Sequence, residues 1–119
     1  MSELRGKSGL IINLDAQDGP KCIAAVTGDL GVRECDDFEQ LMTPICEQRE
    51  LVVIDLSKVG FISSLGMGVL VAIQRGIRMR GGRIRLAAVT PQVEESFRRV
   101  GLDKVFKFSA SAEEALKAT

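Results

Sequence analysis

The six residues LVVIDL at 51–56 restrict what this chain can fold into more than any other stretch. Five of the six are large and aliphatic, and the run is too short for a buried helix. An unbroken apolar run of this length is the pattern of a strand covered on both faces, as happens when helices pack on each side of a parallel sheet. A strand of that kind needs crossover helices before and after it, so the flanking segments should be helical.

They are. Among residues 32–48, Val32, Cys35, Phe38, Leu41, Met42, Ile45 and Cys46 recur at helical spacing, and Pro44 is expected to kink the helix or end it early. Residues 67–80 form the next helix, with Gln74, Arg75, Arg78 and Arg80 marking its solvent side and Gly81-Gly82 ending it. Upstream, residues 10–14 and CIAAVTG (22–28) read as a strand pair joined by AQDGPK (16–21), in which Asp18-Gly19-Pro20 supplies the bend. Downstream, RIRLAAV (83–89) is a strand. Thr90 then caps a helix over 91–100 that has Pro91 at its first position. VFKF (105–108) is a short strand, and Ser111 caps a last helix with Glu114 completing a capping box. The order is ββαβαβαβα: one α/β domain over 1–119, with its core at about 10–116. Its sheet is mostly parallel, with an N-terminal strand pair and about four helices.

Composition removes several kinds of chemistry. The chain has no histidine, so the commonest general base and metal ligand is missing, along with any Ser–His–Asp arrangement. Cys22, Cys35 and Cys46 are odd in number and widely spaced, which fits free buried thiols better than a disulfide or zinc framework. Sixteen basic residues balance sixteen acidic ones and all five aromatics are Phe, which leaves little for binding nucleic acid. No signal peptide is visible, and the apolar run LGMGVLVAI is far short of a membrane span. A cytoplasmic, non-enzymatic protein without metal or cofactor is expected.

The chemistry that remains gathers at GFISSLGMG (60–68), which follows the central strand. In a parallel sheet, sites collect at the carboxyl ends of the strands. Ser64 is well placed to cap the next helix by accepting from Gly66 or Met67. A cap needs only one serine, however, and Gly66 and Gly68 each cost a helix about 1 kcal/mol relative to Ala. Small residues here would leave the hydroxyl open to another protein. A phosphate on Ser64 would sit beside the positive end of the helix dipole, tolerated by the fold but not by a docked apolar partner. Asp55 fits a loop-fixing role through backbone amides better than a phosphoacceptor role, because the acidic pair and late lysine of a receiver domain are missing. Arginines 75, 78, 80, 83 and 85 read as a solvated helix face and strand edge, with an acidic partner surface as the lesser reading.

DLSKVGFISSLGMGVLV (55–71) resembles the signature of the STAS family, the domain of bacterial anti-sigma factor antagonists. VTGDL (26–30), residues 81–108 and SAEEAL (111–116) extend the resemblance over nearly the whole chain. The resemblance implies that Ser64 is the phosphoacceptor. Ser63, which stands where many members carry Asp, is a second candidate. Partner contact would fall on Asp29, Ser57, Phe61, Leu65, Gly66 and Met67 around the two serines. Leu65, where many members carry Ser or Ala, would enlarge the apolar surface. The implied function is partner switching. The bare protein binds an anti-sigma factor that is also a serine kinase, releasing a sigma factor, and phosphorylation ends that contact until a serine phosphatase resets it. Two other readings stay open: a STAS module in a stress-signalling scaffold, and a nucleotide- or anion-binding domain using the helix start after Ser64.

Overall fold

The computed structural model describes residues 2–16 and 19–117, so Asp18 of the expected turn lies outside the described residues. Six strands form one sheet in sequence order: β1 (Ser2–Arg5), β2 (Ile11–Ala16), β3 (Lys21–Thr27), β4 (Leu51–Lys58), β5 (Arg83–Ala87) and β6 (Phe108–Ser109). β1, β2 and β3 pair antiparallel, while β3 through β6 run parallel. The helices are α1 (Cys35–Glu47), α2 (Ser64–Met79), α3 (Pro91–Arg99) and α4 (Ala112–Lys117).

The reading of LVVIDL holds residue by residue. Val52, Ile54 and Leu56 join a core shared with α1, α2 and α3, while Leu51 and Val53 pack with Ala112 and Ala115 of α4 in a second cluster. The period of two thus sends alternate side chains of one strand into two apolar layers. Each such side chain contributes about 1.5–3 kcal/mol on leaving water. All three cysteines are free and buried. Burial pushes the Cys46 thiol up to about 12 and raises that of Cys22, so neither ionises near neutral pH.

Several elements differ from the expectation. β1 is an additional edge strand, too short and polar to show a pattern. The helix expected from Val32 opens as a 3-10 turn (Val32–Glu34) before α1. Pro44 lies inside α1 without ending it: its ring is exposed, and Ile45 and Cys46 beyond it are buried in the core. The strand expected at 105–108 is displaced. A 3-10 turn occupies Leu102–Lys104, and the ladder to β5 begins only at Phe108. Phe106 and Phe108 instead both pack on Phe97 of α3, with ring centroids 5.9 and 5.7 Å away. The caps of the last two helices are as expected. Thr90 Oγ1 accepts from the Val93 amide at 3.4 Å, and Ser111 Oγ accepts from the Glu114 amide at 3.1 Å.

Candidate functional site

The loop between β4 and α2 is held along its whole length by the chain that leaves β3. The Gly28 amide donates to the Lys58 carbonyl at 3.3 Å, the Leu30 amide to that of Phe61 at 2.9 Å, and the Ser63 amide to that of Leu30 at 2.9 Å. Between these rungs the Asp29 carboxylate accepts from the Gly60 amide at 3.0 Å, so a side chain supplies the bond that a strand would have made. Thr90, besides capping α3, donates its hydroxyl to the Val59 carbonyl at 3.1 Å. Its proximity to this loop left no mark in the sequence, where it reads only as a cap. Asp55 takes the role expected of it, accepting from the Ser57 amide at 2.9 Å.

The helix begins three residues earlier than expected, and its cap is Ser63. Ser63 has extended backbone, and its hydroxyl accepts from the Gly66 amide at 3.0 Å. The expectation that Ser64 caps the helix is therefore corrected. Two adjacent serines could each serve, and the Ser63–Leu30 bond fixes which of them lies at the bend. Ser63 is half-buried, with the Cys35 thiol 3.7 Å from its hydroxyl, so its oxygen is already engaged. Ser64 is the first helical residue and is exposed, and among the described residues its hydroxyl has no hydrogen-bond partner.

The glycines divide the same way. A Cβ on Gly66 would come to 3.0 Å from both Ile62 Cγ1 and the Leu30 carbonyl oxygen, whereas one on Gly68 would meet nothing within 4 Å. Gly66 is buried and serves packing; Gly68 is exposed and leaves open space beside Ser64. Met67 is buried as well. Of the residues expected to meet a partner, Gly66 and Met67 lie beneath the surface and Ser63 is half-hidden. Asp29, Ser57, Phe61, Ser64 and Leu65 are exposed at this end of the sheet. Phe61 and Leu65 each keep 53% of their accessible surface, and Val32 on the neighbouring 3-10 turn keeps 69%.

Electrostatically the site is a helix N-terminus with no acidic side chain in its first turn. The amides of the first turn and the aligned dipole together favour an anion. A bare hydroxyl among exposed apolar side chains can therefore take a phosphate at little cost to the fold.

A family model described as STAS domain matches residues 12–115 of the chain. The anti-sigma-B factor antagonist of Bacillus subtilis is 25% identical over 103 residues, covering 86% of this chain and 94% of that protein. The crystal structure of an anti-sigma factor antagonist from Mycobacterium paratuberculosis is similar with a TM-score of 0.81 at 24% identity, over 95% of this chain and 96% of that one. The Bacillus cell fate determinant SpoIIAA, solved in its phosphorylated form, is similar with a TM-score of 0.69 at 18% identity, over 88% and 96%. At these identities the two structures speak for the fold.

Proposed function

The chain belongs to the STAS domain family, and from that premise we propose that it is an anti-sigma factor antagonist whose partner contact is switched by phosphorylation of Ser64. The observation that carries this reading is the contrast between neighbours: Ser63 is spent on the cap, while Ser64 is exposed and unengaged beside Phe61 and Leu65. The unphosphorylated surface presents exposed Phe61 and Leu65 next to that hydroxyl, which suits docking against an anti-sigma factor.

A kinase partner would transfer the γ-phosphoryl of ATP to Ser64 Oγ. The hydroxyl proton leaves, the new O–P bond forms, and the bond to ADP breaks. The product carries about −1.5 to −2 charges where the partner's apolar surface had been, with three oxygens that hold water. The first-turn amides of α2 stabilise that charge within the fold, so the penalty falls on the complex. A serine phosphatase would restore the hydroxyl by hydrolysis. In this scheme the protein is substrate and binding module, acting in the cytoplasm.

The test is intact-mass and site-mapping analysis of protein from its own cells, with binding of Ser64→Asp and Ser64→Ala to an anti-sigma factor of the serine-kinase class. Phosphate on Ser64 is expected. Ser64→Asp should bind at least about tenfold more weakly, about 1.4 kcal/mol, and Ser64→Ala should bind without taking up phosphate. If Ser64→Ala is phosphorylated as well as the wild type and Ser63→Ala is not, the assignment is wrong.

A further inference from the structure

The far end of α2 carries a second feature that the switch does not use. A cavity of about 190 Å³ lies between the last turns of α2, the first half of β5 and the segment leading into β6. Four cationic residues line it, Arg78, Arg83, Arg85 and Lys107, together with Gln74 and Ile84. Among the described residues, no acidic one lines it. The ion pairs among the described residues are Arg5–Glu3, Arg98–Glu94 and Arg99–Glu95, and none involves these four. In a chain of zero net charge, four positive charges are thus gathered around one cavity.

Two of the lining residues correct the expectation of a solvated basic face. Gln74 is buried and donates its side-chain amide to the Val105 carbonyl at 3.0 Å, which ties α2 to the segment before β6. Arg85 is only 6% exposed, and its Nε is buried with no hydrogen-bond partner. Burying a guanidinium without a counter-ion is strongly unfavourable, and an unmatched N–H adds to that penalty. Arg80, by contrast, turns away to donate to the Cys46 carbonyl at 3.1 Å. The backbone also leaves this place open. β6 pairs with β5 only at Leu86 and Ala87, and the period of two aims the Ile84 amide the same way as that of Leu86, where β6 does not reach.

We propose that this cavity is a binding site for a small phosphate-bearing molecule, with Arg85 as the buried anchor and Arg78, Arg83 and Lys107 around the rim. Guanidinium groups match phosphate oxygens in paired hydrogen bonds, and the missing partner of Arg85 Nε is an acceptor. A charge of +4 calls for a dianion rather than a single carboxylate. Ile84 and Val105 offer an apolar wall to whatever the phosphate is attached to. Ser64 and Arg78 are 14 positions apart on one helix, about 21 Å along its axis, so the site is separate from the switch.

The experiment uses the full chain with Ser64→Ala, so that its phosphorylation state plays no part. Inorganic phosphate and phenyl phosphate are titrated separately at constant ionic strength, with amide and arginine Nε–Hε NMR shifts and calorimetry as readouts. Saturable shifts are expected at residues 74, 83–85 and 105–107 and at the Arg85 Nε–Hε signal, with millimolar or tighter binding. Tighter binding of phenyl phosphate assigns the site to a phosphomonoester, and equal binding assigns it to free phosphate. Arg85→Met should weaken binding at least tenfold and Arg75→Gln should not change it. Should Arg85→Met fail to fold, the surface double variant Arg83→Gln/Lys107→Gln should show the same loss. The proposal is overturned if neither probe gives saturable shifts, if the shifts spread equally to Arg75, Arg98 and Arg99, or if the folded anchor or rim variants bind as tightly as the parent.

Discussion

At the N-terminal end of α2 the loop is fastened by hydrogen bonds inside the fold, whereas at its C-terminal end a buried guanidinium nitrogen has no partner among the described residues. The loop at 59–63 is held by backbone bonds to Leu30, by the Asp29 carboxylate and by the Thr90 hydroxyl. Ser64 keeps an exposed hydroxyl there that has no partner among the described residues, which costs nothing to leave in water. At the other end Arg85 sits among three further cations with its Nε unpaired. The difference separates two ways of holding a function ready. A modification site needs a rigid, satisfied scaffold and one group left to solvent. A ligand site can carry an unmatched group that only the ligand completes, and the empty fold bears the cost.

The largest effect that would test the first half of this comparison comes from the two glycines. Gly66→Ala forces a methyl to 3.0 Å from the Leu30 carbonyl oxygen, and overpacking of this kind costs about 1–3 kcal/mol, partly offset by Ala's better helix propensity. A net loss of about 1–2 kcal/mol in urea unfolding is expected. Gly68→Ala, where the methyl meets open space, should instead gain up to about 1 kcal/mol. Equal effects at the two positions would mean that the loop clamp has slack.

The second half is tested by Arg85→Met, which keeps an unbranched stem but removes the unmatched charge. Without ligand it should raise stability, by on the order of 1 kcal/mol, because the desolvation penalty of the guanidinium disappears. A marked loss would show that Arg85 holds the fold together, and the two ends of α2 would then not differ in the way described.

The sheet was legible because a strand buried on both faces has a pattern with few alternatives, and the expected order of strands and helices stands from β2 to α4. The junction of β4 and α2 was legible too, since it follows from that order alone. Three things were not. The choice between Ser63 and Ser64 depends on where Leu30 bonds the loop, a contact 33 positions away from Ser63 in the chain. Gln74 is buried where it donates to the Val105 carbonyl, a contact 31 positions away, and Arg85 is buried as well, whereas polar residues in helix and strand otherwise read as solvent-facing. The misplaced last strand has a similar cause: Phe106 and Phe108 alternate as strand residues do, yet both are spaced to grip Phe97.

The smallest expected effect falls on the two serines, and there the contrast between a satisfied and an unengaged group is tested within two adjacent positions. Ser63→Ala removes the acceptor of the Gly66 amide, a cap whose loss costs about 1 kcal/mol. Ser64→Ala removes a hydroxyl that bonds to nothing among the described residues, and its stability should stay within about 0.5 kcal/mol of the wild type. Parallel urea unfolding of the two variants measures the difference directly. If Ser64→Ala were the costlier change, Ser64 would be part of the scaffold. Phosphorylating it would then disturb the fold as well as the partner contact, and the switch would act by partial unfolding of the start of α2 rather than at a surface the fold leaves unchanged.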